Sequence, residues 1–148
     1  MAMIKALAAA LMFFFGHLHP LEAEHYATVI AEEAWIAGID PVTLAARGWC
    51  ESGLRPWTLH AGTYGAWQTR KRLVTVRAQA AEGARSLRFW QDWHMAGRCT
   101  QEPAHAPSLH YSWGWTIPPR FRVHDGLKMH RVERLIERRM SSFQNGTN

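Results

Sequence analysis

Hydrophobic positions recur at helical spacing over most of this chain, which predicts a mainly α-helical domain. Tyr26, Val29, Ile30, Ala34 and Ile36 mark a helix from Glu22 to Ala37, with Gly38 as its stop. Asp40-Pro41 opens a second helix, because the carboxylate can cap free N–H groups and proline suits the first turn. That helix carries Val42, Leu44, Ala45 and Trp49, reaches Glu51, and is ended by Gly53 and Pro56. From Leu54 to Lys71 the pattern dissolves into Gly, Thr and aromatic residues, the composition of a loop or short irregular strands. A long helix follows from about Leu73 to Ala96, with Val76, Ala80, Ala84, Leu87 and Trp90 on one side. Gly97 to Pro107 has loop composition, Leu109 to Trp115 suits a short helix or turn, and Pro118-Pro119 breaks the chain. The last helix is expected from Asp125 to Met140, with Met129, Val132, Leu135, Ile136 and Met140 inward, before a flexible tail over 141–148.

The first 23 residues stand apart. Lys5 precedes the apolar run Ala6 to Phe15, the outline of a secretory signal or N-terminal anchor. The run is short of the ~20 apolar residues of a membrane span. Cleavage after Ala23 would place Leu21 where a small residue is preferred, and a buried N-terminal helix is the competing expectation. The domain proper is then expected over residues 24–140.

Composition narrows the class. The 148 residues are 47% hydrophobic and 20% charged, which excludes global disorder and suits one domain. Lys and Arg outnumber Asp and Glu by 17 to 12, for a net charge of +5. Such a charge favours polyanions: nucleic acid, anionic lipid, or an acidic bacterial wall. Much of it lies at Arg120, Arg122, Lys128, Arg131, Arg134, Arg138 and Arg139. Glu133 and Glu137 interrupt that series, which favours a solvated helix face over a dedicated polyanion site. Cys50 and Cys99 could form one disulfide if the protein is exported, or remain two thiols. No Cys/His spacing suggests zinc, His17-Leu18-His19 included, and no metal or other cofactor is expected.

The stretch from Ile39 to Leu54 is where chemistry can be read. Its helix ends at Glu51, followed by Ser52-Gly53-Leu54. A helix C-terminus disfavours an ionised carboxylate, and apolar neighbours such as Trp49 and Leu54 would act in the same sense. Both effects would keep Glu51 protonated, as a general acid requires. Two further segments follow, Tyr64-Gly65-Ala66-Trp67-Gln68 and His110-Tyr111-Ser112-Trp113-Gly114.

In this order the three segments resemble the lysozyme-like lytic transglycosylases, whose Glu-Ser pair at a helix end precedes a Gly-Leu-Met-Gln-type and a Tyr-Asn-x-Gly-type segment. This chain keeps the outer Gly65 and Gln68 but not the middle pair, and has Ser112 in place of the asparagine. The resemblance implies an α+β lysozyme-like fold in which the loop region forms one wall of a cleft. It implies a monomer acting on peptidoglycan glycan strands in the periplasm or outside the cell, in wall remodelling, an envelope-spanning machine or a phage lysis system. Glu51 would protonate the bridging oxygen between N-acetylmuramic acid and N-acetylglucosamine, then serve as base while a 1,6-anhydro ring closes. Ser52 would orient glycan or loop, Gln68 and Tyr111 would contact substrate, Trp67 and Trp113 would stack on sugar, and Gly65 would let the backbone turn.

Three alternatives compete. A two-carboxylate hydrolase needs a second acid, and none occurs between Glu51 and Glu82, leaving Asp92, Glu102 or Asp125. A basic helical protein could bind nucleic acid through Arg120 to Arg139 with steep salt dependence, although nucleic acid is not the expected partner. A lysozyme-like fold without activity would bind glycan and leave it intact.

Overall fold

The computed structural model describes residues 1–98 and 124–146. These form five helices and a two-stranded hairpin: α1 (Ala2–Phe14), α2 (Pro20–Ala37), α3 (Pro41–Ser52), β1 (Leu59–His60), β2 (Thr63–Tyr64), α4 (Val76–Trp93) and α5 (His124–Gln144). A π-type turn over His94–Arg98 extends α4 to the left-handed Gly97. The mainly helical architecture agrees with the hydrophobic periodicity.

Helix ends follow local chemistry. The Asp40 carboxylate accepts from the backbone N–H groups of Val42 and Thr43, so α3 begins where expected. Thr75 caps α4 through the Ala78 N–H at 3.1 Å, which starts that helix three residues later than its apolar pattern suggests. Helix α2 starts earlier, at Pro20. His19 Nδ1 accepts from the Leu21 N–H, while Glu22 accepts from the His19 N–H, a reciprocal cap built on histidine.

Helix α1 is packed into the core, the arrangement expected of a buried N-terminal helix. Ala6, Leu7, Ala10 and Leu11 are fully buried, and α1 packs against both α2 and α5. Residue Ala23, the suggested cleavage point, is itself buried inside α2. In this structure the apolar run forms the buried face of α1. Helix α5 continues to Gln144, four residues past the end its apolar pattern predicts.

Two apolar positions of the helical pattern are exposed. Ile36 is 67% exposed, because the inner stripe of α2 runs through Tyr26, Ile30 and Ala34 and turns away before it. Leu135 is 39% exposed, while its neighbour Ile136 is fully buried with Met129 and Val132. On α4 the expected stripe of Ala80, Ala84, Leu87 and Trp90 is buried.

Polar links fix the helices laterally. Arg77 of α4 bonds both Glu32 and Glu33 of α2 at 2.6 and 2.8 Å, and Thr43 of α3 donates to Glu133 of α5 at 2.9 Å. Arg88 reaches the Gly38 carbonyl from α4 at 3.0 Å. Hydrogen bonds from Arg85, then Lys71, hold the Glu82 carboxyl below the usual glutamate range.

Two outcomes follow. Leu11→Ala should lower unfolding free energy by about 2–5 kcal/mol in denaturant titration, as for other buried leucines; a leader outside the fold would give no change. Glu82 has a lowered folded-state pKa, so its contribution is present above the unfolded value and lost as pH falls through the folded one. Glu82→Gln should therefore reduce the melting temperature slightly at neutral pH, with the difference vanishing in acid.

Candidate functional site

Glu51 sits in the last turn of α3, with its side chain 19% exposed. One turn earlier, the buried Arg47 pairs its guanidinium with the Glu51 carboxylate. The apolar surroundings expected for Glu51 are different in fact. Trp49 projects elsewhere on α3, where its ring lies 4.5 Å from Phe14 and 5.0 Å from Phe15. A guanidinium in contact favours the carboxylate and opposes the pull of the helix end toward the acid form. In the resting protein Glu51 is thus one half of an ion pair.

The loop after α3 is fastened to the helix end. Ser52 Oγ donates to the Ala66 carbonyl at 2.7 Å and accepts from the Arg55 N–H at 3.0 Å. The backbone then forms the β1–β2 hairpin, pairing Leu59 with Tyr64 and His60 with Thr63. Leu54, Ala61 and Gln68 all have positive φ, the non-glycine residues of the described chain that do. All three lie in this loop, and residues held in that region of backbone space concentrate at functional sites.

Three assigned residues prove to brace the loop. Both amide hydrogens of the buried Gln68 are used, donating to Gly65 O at 2.7 Å and Thr58 O at 3.2 Å. Its Oε1 accepts from Thr63 Oγ1 at 2.8 Å. The contacts of Ser52 likewise orient the loop. Gly65 has φ +78°, and a Cβ there would overlap the Gln79 carboxamide, so it turns the backbone as expected.

Trp67 requires a correction. It is fully buried, its indole N–H donates to the Leu44 carbonyl at 2.8 Å, and no face is available to a sugar ring. The exposed tryptophan of this loop is Trp57, at 77%. Trp57 borders a groove of about 350 Å³ that also involves Leu21, Glu22, His25 and Tyr26 of α2 and Leu54 of the loop. Glu51 is not on the wall of this groove. Burial, then the nearby Glu22 carboxylate, pushes the Tyr26 phenol well above its ordinary range, so it stays a neutral hydroxyl.

Tyr111, Ser112, Trp113, Trp115, Glu102 and Cys99 lie outside the described residues. The structure therefore brings together the first two of the three segments, through Ser52 and Ala66. Among the described residues, no group of three or more His, Cys, Asp or Glu side chains is placed to hold a metal ion.

Two important residues escaped the sequence reading. Gln79 is 1% exposed and pins three parts of the loop: Oε1 accepts from the Ala66 N–H at 2.8 Å, and Nε2 donates to Pro56 O at 3.0 Å and Leu73 O at 2.9 Å. Its signal was a single amide on the otherwise apolar stripe Val76–Ala80–Leu87. Arg47 had the equivalent signal on α3, a charge one turn before the candidate acid.

No family model, no curated protein and no solved structure matches the chain.

Replacing Gln79 by leucine would strand the buried Ala66 N–H. Gln79→Leu should lower stability by about 1–3 kcal/mol and speed amide exchange at Gly65 and Ala66. Unchanged exchange at those amides would show that the carboxamide does not hold the loop.

Proposed function

We propose that this protein is a peptidoglycan lytic transglycosylase that uses Glu51 as its acid and base. The observation that carries the reading is a partly shielded carboxylate at the end of a capped helix, with a conformationally strained hairpin loop fastened beside it by Ser52. The order of segments in the sequence supports the same reading.

The reaction needs one carboxyl group. As an acid, Glu51 gives its proton to the bridging glycosidic oxygen as the bond from muramic C1 to that oxygen breaks. The N-acetyl group of the same sugar stabilises the positive charge at C1. The resulting carboxylate then takes the proton from the C6 hydroxyl while O6 bonds to C1. The ring closes as a 1,6-anhydro sugar, no water is consumed, and Glu51 regains its proton. Because the ion pair with Arg47 favours the carboxylate, productive binding has to loosen that pair before the first step.

The position of Asp92 removes it as the second carboxylate of a hydrolase. Asp92 pairs with Arg88, which also holds the Gly38 carbonyl, near the start of α3. Glu51 lies at the other end of this 12-residue helix, roughly 18 Å long, whereas paired carboxylates stand about 5–9.5 Å apart. Trp57 replaces Trp67 as the loop's candidate for stacking on sugar. The substrate implies action outside the cytoplasm, with glycan strands as the partner.

One observation favours a different role. Glu51 could serve chiefly as counter-ion to the buried Arg47, in a lysozyme-like domain that binds glycan without cutting it. Glu51→Gln separates the two. The transglycosylase reading expects release of anhydro-muropeptides, one water lighter than hydrolysis products by mass, to fall by at least about 100-fold, with the fold retained. The counter-ion reading expects no such products from the wild type and a loss of about 3–5 kcal/mol in the variant. Products with ordinary reducing ends would assign hydrolysis.

A further inference from the structure

The outer face of α5 carries a cationic surface that the proposed chemistry does not use. At about 100° per residue, Lys128, Arg131, Arg134, Arg138 and Arg139 fall with Leu135 and Ser142 on one arc of the helix. Glu133 and Glu137 fall on the opposite flank, where Glu133 accepts from Thr43 and faces His130 at 3.6 Å. The charge series that alternates in sequence is therefore sorted by sign in space. Arg131, Arg134 and Arg138 are exposed and form no ion pair among the described residues. They border a shallow depression of about 190 Å³ with Leu135.

Apolar side chains stand among and beside these cations. Leu135 is 39% exposed within the arc, and Phe143 is 42% exposed at its end. Helix α1 packs alongside, and its Phe13, 62% exposed, lies under the Arg139 guanidinium at 4.4 Å from the ring centre. Met12, next to Phe13, is 37% exposed. Solvation alone gives no reason for large apolar groups to be interleaved with unpaired arginines. A phosphate-rich surface with hydrocarbon beneath it satisfies both groups at once.

We propose that the outer face of α5, with the Met12–Phe13 corner of α1, docks on an anionic lipid membrane. Arginines meet the phosphate headgroups while Phe13, Leu135 and Phe143 enter the boundary with the acyl chains. The protein lies on the bilayer, since no helix among the described residues is long and apolar enough to cross it. A nucleic acid would use the charge and leave the apolar groups without a role. The inference is independent of Glu51 and of the reading of the active site.

The test is sedimentation of the full chain with vesicles of phosphatidylcholine alone or mixed equally with phosphatidylglycerol, alongside titration of a labelled DNA duplex. Binding is expected to the mixed vesicles only and to weaken with salt. Arg131→Gln, Arg134→Gln and Arg138→Gln combined should weaken partitioning about 100-fold, taking each arginine near such a surface at its usual contribution. Phe13→Ser with Leu135→Ser should weaken vesicle binding without affecting any binding to DNA. All substituted positions are exposed, and circular dichroism with thermal melting checks that each variant is folded. Absence of binding to mixed vesicles, or full retention by the folded arginine variant, overturns the proposal. So does vesicle binding that is indifferent to Phe13 and Leu135 and equalled by the duplex.

Discussion

The fold around the candidate site depends on the packing of one indole ring between two helices. Trp67 enters from the loop and lies between α3 and α4, where each helix presents a glycine. A Cβ at Gly48 would overlap Leu54 and come within 3.0 Å of the Trp67 ring, and one at Gly83 would stand 2.9 Å from it. Core atoms at such distances cannot be accommodated without moving a helix. The indole N–H is satisfied by the Leu44 carbonyl, so no polar group is stranded by the burial. Ser52, Gln68 and Gln79 then fix the rest of the loop around this anchor. The same residue types that look suited to binding sugar in a linear reading are used here to make a short loop rigid.

Much of the fold was legible because its signals are local. Asp40-Pro41 and Gly53 bound α3 through capping and left-handed backbone geometry, which depend on a few neighbouring residues. The inner stripe of α4 was legible for the same reason. The packing of α1 was not. A run such as Ala6–Phe15 has the same composition whether it passes through a translocation channel or packs between two helices. The surfaces of α5 that it packs on lie far away in sequence. Ile36 and Leu135 show a smaller form of the same limit, because an apolar residue at the margin of a stripe is buried only when a neighbouring element reaches it.

The candidate site was legible in its outline and less so in its detail. Glu51 at a helix end and a Gly-rich loop beside it follow from the sequence, and the structure joins them through Ser52 and Ala66. The roles within the loop were misread where an aromatic or amide was assigned to substrate. Side-chain type cannot separate a group that binds sugar from one that binds backbone, since both tasks need the same donors and flat surfaces. Exposure separates them, and it shifts the aromatic candidate from Trp67 to Trp57.

Arg47 bears most directly on how one carboxyl group could act twice. A buried guanidinium with Glu51 beside it stores no proton where a general acid needs one, so on the proposed mechanism the pair cannot be the reactive state. It matches the state between the two proton transfers, after the first proton has been given: a carboxylate held ready, aligned by a rigid helix, and shielded from bulk water. A sugar that enters beside α3 and adds its own hydrogen bonds would compete for the guanidinium and lower its hold on the carboxylate. On that view, the arginine's place one helical turn before the acid would link substrate binding to the proton transfer that breaks the glycosidic bond.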